Sequence, residues 1–246
     1  MKKDTLLGHA GRDPARQHGI VNPPVYHAST VTFPTVAALE AASKAPLEGT
    51  YYGRYGTPTQ FAFEDAVAQL EGASHAFAVP SGMAAIAAAL TGLLQAGDHV
   101  LVTDSVYFPT RKLCDGRLKG WGIETTYYDP MIGAGIADLI RANTKVVFTE
   151  APGSLTFEVQ DIPAIAAAAR AAGVLVVMDN TWSAGLYCQP FDHGVDISVQ
   201  AATKYIVGHS DAMLGTVAVR DAALYERLKL AATGLGFHAA PDDCYL

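Results

Sequence analysis

From residue 57 onward, short apolar runs alternate with longer stretches in which apolar residues recur at helical spacing. The runs predict strands at 75–79, 99–103, 124–128, 145–150, 175–179, 196–201 and 215–219. Several are apolar almost throughout, the pattern of strands covered on both faces. Helices are expected between and after them at 57–72, 83–94, 112–118, 137–142, 162–172 and 222–232. Thr57-Pro58 reads as an N-cap and first helical position, with Phe61, Val67 and Leu70 on the apolar face. Gly72, Gly97 and Gly173 follow helix ends. A loop holding Tyr107 and Pro109 is expected after the second strand. Repeated strand-helix units predict an α/β fold, a mostly parallel seven-stranded sheet covered by helices.

Residues 1–56 read differently. They carry Pro23-Pro24, Pro34 and Pro46 among many Gly, Tyr and Thr residues, with little helical or strand periodicity. Such a segment is expected to be an extended arm that packs on a neighbouring subunit. A loosely ordered tail is the alternative, and the aromatic run Tyr51-Tyr52-Gly53-Arg54-Tyr55 weighs against it.

Composition narrows the function classes. Of 246 residues, 50% are hydrophobic and 17% charged, which argues for a packed core rather than disorder. A net charge of -7 offers no basic face to nucleic acid or an anionic membrane. No apolar run reaches the roughly 18 residues of a membrane span, and Met1-Lys2-Lys3-Asp4 does not open a secretory signal. Cys114, Cys188 and Cys244 are far apart and odd in number, which fits a reducing cytoplasm. The histidines form no H-E-x-x-H and no Cys/His cluster, so no metal is expected.

Two residues carry the chemistry. Asp179 closes the apolar run 175–179, and Lys204 follows the next one. Strand ends are where α/β sheets bind ligands. A lysine and an aspartate so placed suit pyridoxal phosphate (PLP): the amine forms a Schiff base and the acid keeps the pyridine nitrogen protonated. Each alone has a plainer reading, as a surface lysine or a helix cap. Ser81-Gly82-Met83, between a strand and a helix start, offers N–H groups to an anion, though small residues are common at such turns. Tyr107 also falls at a strand end, where its ring could stack on a pyridine or be an ordinary loop tyrosine. Arg54, near Tyr52 in the arm, is suited to phosphate or to a surface salt bridge. No G-x-G-x-x-G after a strand, P-loop or G-x-S-x-G motif is present.

Four ordered segments resemble the Cys/Met-metabolism PLP-dependent enzymes, a branch of fold type I. They are 52–59, 80–85, 179–181 and 202–211, and the resemblance spans almost the whole chain. It implies a PLP-dependent transferase-like large domain at 57–246, preceded by the arm at 1–56. It further implies Lys204 as Schiff-base residue and proton carrier, Asp179 at the ring nitrogen and Tyr107 stacked on the ring. Gly82, Met83 and Thr203 would bind the phosphate, joined by Tyr52 and Arg54 from a neighbouring subunit of a homotetramer. Lys204, Tyr107 and Tyr52 are the implied catalytic residues.

Asp179-Asn180-Thr181-Trp182, Ala151-Pro152-Gly153-Ser154 and Ala201 are most similar to the cystathionine β-lyase branch. The implied activity is β-elimination of a thioether amino acid in methionine biosynthesis. A γ-lyase, a sulfhydrylase or a PLP-binding fragment without turnover are the alternatives. Family members run on into a smaller C-terminal domain, so one is expected after residue 246, carrying the arginine for the substrate α-carboxylate. The 246 residues alone are expected to turn over weakly or not at all.

Overall fold

A computed structural model describes residues 2–246. All seven expected strands form: β1 (His75–Val79), β2 (His99–Thr103), β3 (Glu124–Tyr128), β4 (Thr144–Glu150), β5 (Leu175–Asp179), β6 (Ile197–Gln200) and β7 (Gly215–Val219). They make one sheet in the order β1-β7-β6-β5-β4-β2-β3. Only β7 runs against its neighbours, antiparallel to both β1 and β6. The other neighbouring pairs are parallel.

The helices are α1 (Lys3–His9), α2 (Val36–Lys44), α3 (Pro58–Glu71), α4 (Gly82–Leu93), α5 (Phe108–Lys112), α6 (Ile162–Ala171), α7 (Ala222–Gly234) and α8 (Pro241–Tyr245). Side chains alternate across the sheet, so one strand feeds two cores. Val100, Val102, Val146, Phe148 and Val177 pack with α4 and α7 on one face. Leu101, Val147, Val176 and Met178 pack with α6 on the other. This double burial explains why the central strands read as continuous apolar runs. Helix α4 is buried along most of its length, and its alanines let it lie close to the sheet and to α7. Among the described residues, no helix is long and apolar enough to cross a membrane.

Local chemistry sets the helix ends. The Thr57 N–H donates to Gln60 Oε1 at 2.9 Å, opening α3, and Gly72 closes it in the left-handed region at φ 68°. Asp161 and Asp221 cap α6 and α7 by accepting from the N–H groups of Ala164 and Leu224.

Several local expectations need correction. Residues 1–56 are not without helix, since α1 and α2 lie there. Helix α2 is alanine-rich, and Thr35 caps it by accepting from Ala38 N–H at 3.1 Å. Neither helix buries a residue, so no apolar stripe announces them. Pro109 does not sit in a loop. It lies in the first turn of α5, where a missing N–H costs nothing, and α5 continues into a π-type turn at Leu113–Leu118. The helix expected at 137–142 is instead a 3-10 helix at Gly133–Leu139, drawn forward as the chain turns into β4. The short helix α8 and a 3-10 turn at Pro190–His193 were not anticipated.

Candidate active site

The ends of β4, β5 and β6 and the start of α4 border one cleft of about 620 Å³. Gly82, Met83, Tyr107, Asp179, Thr203 and Lys204 all line it, so six residues chosen from sequence meet in one place. Tyr52 and Arg54 do not line it. Arg54 donates from Nη1 to the Thr233 carbonyl at 2.6 Å, and its guanidinium lies 5.7 Å from the Tyr52 ring centroid.

Asp179 is the last residue of β5 and is 8% exposed. Its Oδ1 accepts from the Thr181 N–H at 3.0 Å and the Thr181 hydroxyl at 2.5 Å. That hydroxyl oxygen accepts in turn from the Ala201 N–H at 2.8 Å. Thr181 therefore ties the end of β5 to the end of β6. Oδ2 of Asp179 accepts from no described residue and remains available to a donor in the cleft. Behind the turn, buried Glu71 accepts from Asn180 Nδ2 at 3.0 Å and from Gln200 Nε2. Burial pushes its carboxyl up.

Glu150 is a site residue that the sequence reading missed. The register sets it beside Asp179 on the neighbouring strand. Its Oε2 accepts the Tyr107 N–H at 2.7 Å. Burial, then the Asp179 charge, pushes Glu150 up to about 8, against the pull of the Tyr107 N–H and Lys204. Burial raises Asp179 too, against the two Thr181 bonds and Lys204. Two hydrogen bonds on one oxygen favour the ionised form of Asp179, while Glu150 has a single N–H donor to set against its burial. Glu150 ends the expected strand 145–150, and the strand-end rule that selected Asp179 would have found it.

Lys204 is exposed, and its Nζ stands 5.7 Å from the Tyr107 ring centroid. No described carboxylate forms an ion pair with it. Its amine is therefore free for covalent chemistry. Thr203 is more committed. Its hydroxyl donates to the Leu214 carbonyl at 3.0 Å and accepts from the Leu214 N–H at 2.9 Å. Donation to a phosphate would require that hydroxyl to leave the Leu214 carbonyl.

At the start of α4, the Ser81 hydroxyl accepts from Ala84 N–H at 3.1 Å. This leaves the first N–H groups, those of Gly82 and Met83, for an anion. Gly82 also has a packing role that the sequence did not reveal. A Cβ there would lie 2.4 Å from the Ala201 Cβ and 2.7 Å from its Cα. We expect Gly82→Ala to lower stability by about 1–3 kcal/mol through overpacking and to weaken anion binding at the helix start. Denaturant unfolding and phosphate titration would check the two effects. A stable variant with unchanged phosphate affinity would contradict both.

An aromatic wall completes the cleft. The Trp182 ring lies 5.3 Å from Phe157 and 5.6 Å from Tyr205 by centroid.

The donor set fits PLP. It offers a free amine, an unpartnered carboxylate oxygen, a helix start for phosphate and a tyrosine ring beside the amine. Residues 4–246 match the family described as Cys/Met metabolism PLP-dependent enzyme. The chain belongs to that family. The cofactor that goes with this membership is pyridoxal 5′-phosphate. A relative from Rhizobium johnstonii is 54% identical over 98% of this chain and 60% of its own length. Cystathionine beta-lyase MetC of Escherichia coli K12 is 42% identical over 100% of this chain and 62% of its own. The crystal structure of cystathionine gamma-lyase from Lactobacillus plantarum, complexed with L-serine, superposes with a TM-score of 0.91 at 34% identity. That match covers 100% of this chain and 62% of the solved one. The fold is thus that of fold type I PLP enzymes. The chain spans about 60% of the length of these relatives.

Proposed function

We propose that this chain is the cofactor-binding part of a carbon–sulfur lyase that β-eliminates L-cystathionine to homocysteine, pyruvate and ammonia. The observation that carries the reading is one cleft holding an unpaired lysine amine, a carboxylate oxygen without a donor and a helix start. The similarity to lyases that act on cystathionine supports the substrate class.

Bound PLP supplies an electron-withdrawing ring that stabilises negative charge at the substrate Cα. The residues would share the rest of the work. Lys204 would hold the cofactor through its amine, and the same amine would serve as the base for the substrate Cα proton. Asp179 Oδ2 would pair with the ring nitrogen and favour its protonated, electron-withdrawing form. Tyr107 would pack against the ring, and the N–H groups of Gly82 and Met83 would hold the phosphate with Thr203 beside them. Tyr52 and Arg54, which do not line the cleft of their own chain, would reach the phosphate of a neighbouring copy in a homotetramer. Methionine biosynthesis in the cytoplasm is the setting in which this reaction belongs.

Product analysis after a full-length protein that carries this chain is incubated with PLP and L-cystathionine tests the reading. Pyruvate with homocysteine is the expected result. 2-Oxobutyrate with cysteine would replace it with a γ-lyase, the second reading that the Lactobacillus structure favours. PLP uptake without either product would leave a binding module.

A further inference from the structure

We propose that Glu150 is a positioning residue: from the end of β4 it grips the main chain of Tyr107 and so sets where the Tyr107 ring stands over the Lys204 amine. What that ring faces when cofactor is bound rests on the function proposed above. The grip itself does not.

The Tyr107 carbonyl is held within its own helix, accepting from the N–H groups of Thr110 at 2.9 Å and Arg111 at 3.3 Å. The residue is 39% exposed and sits at the N-cap of a five-residue helix. The segment before it is tied down elsewhere, by Asp104 N–H to the Tyr128 carbonyl and by Ser154 N–H to the Ser105 carbonyl, both at 2.8 Å. At Tyr107 itself the N–H goes to Glu150 Oε2 at 2.7 Å, across 43 residues of sequence. Glu150 is suited to act as the fixed end. Its main chain is in register with Asp179 on β5. Its carbonyl accepts from Gln160 Nε2 at 2.7 Å, and Gln160 Oε1 accepts from the buried Tyr128 hydroxyl at 3.0 Å. An acceptor anchored on the central sheet thus ties the start of α5, and with it the base of the Tyr107 side chain, to β4.

The raised pKa of Glu150 supports a neutral acid near pH 7, for which glutamine is the isostere. The Glu150→Gln change would keep an acceptor oxygen in place, whereas Glu150→Ala removes it. This contrast gives the test.

Amide exchange is read at single-residue resolution at pH 7 in the wild type, Glu150→Gln and Glu150→Ala, without cofactor. Glu150→Ala should speed exchange at Tyr107 about tenfold, roughly the value of one net hydrogen bond. Glu150→Gln should stay close to wild type, and the Val147 and Phe148 amides of β4 should be unchanged in both. Unchanged exchange at Tyr107 in Glu150→Ala would overturn the proposal. So would protection lost along β4, which would make Glu150 a general fold element, and so would a glutamine variant as fast as the alanine one. Adding PLP gives a second readout. The visible band of bound cofactor should shift in Glu150→Ala and return in Glu150→Gln. A wild type that takes up no PLP would count against the proposed function, while amide exchange would still decide the role of Glu150.

Discussion

Lys204→Ala is expected to abolish covalent capture of PLP while leaving the fold intact. Borohydride reduction of the wild type with PLP should fix cofactor on the peptide that contains Lys204, and the variant should show only background labelling. The reasoning is local. Lys204 is the lysine that lines the cleft, and its amine has no ion-pair partner among the described residues. Because the side chain is exposed and unpaired, its loss should alter stability by no more than about 0.5 kcal/mol. Absorbance, peptide mass mapping and denaturant unfolding together separate a lost site from a lost fold. Equal labelling of the variant would remove Lys204 from the proposed chemistry.

The largest stability effect is expected far from the cleft chemistry, at Lys229. Its Nζ lies 2.9 Å from Glu64 Oε1, and the two side chains are only 6% and 7% exposed. The same Glu64 oxygen accepts the Ala78 N–H at 2.9 Å, joining α3, α7 and β1. Lys229→Met would leave an uncompensated buried carboxylate. Breaking such a pair from one side costs about 3–5 kcal/mol. At about 2–4 °C per kcal/mol for a chain of this size, the melting temperature should fall by roughly 10 °C. Adding Glu64→Gln to Lys229→Met removes the stranded charge while retaining an acceptor for Ala78, and should recover most of the loss. A single variant within about 1 kcal/mol of wild type would mean that water or rearrangement reaches the pair.

The same contrast shows what was legible in the sequence. Strands buried on both faces leave long apolar runs, so β2, β4 and β5 were plain, and Asp179 followed from the end of its run. Lys204 followed from its place after the next run. Contacts made by distant segments leave no such trace. Lys229 and Glu64 stand 165 residues apart, and nothing periodic joins them. The Phe157, Trp182 and Tyr205 wall comes from three separate loops. The helices α1 and α2 escaped because neither buries a residue, which removes the amphipathic signal that reveals a packed helix. Gly82 was visible as a turn glycine, but its close approach to Ala201 depends on how α4 meets β6.

The reversed direction of β7 has a thermodynamic consequence for Lys204. Because β7 starts at the edge where β6 ends, the segment that carries Lys204 leaves the sheet and returns to the same edge. Thr203 and Leu214 close it with main-chain and side-chain bonds, including Thr203 N–H to the Leu214 carbonyl at 3.1 Å. The loop is therefore a small ring with both feet held, and its closure entropy is lost during folding rather than on ligand capture. A partner already held in the cleft meets the Lys204 amine on a restrained tether, so less chain freedom is lost when the two react.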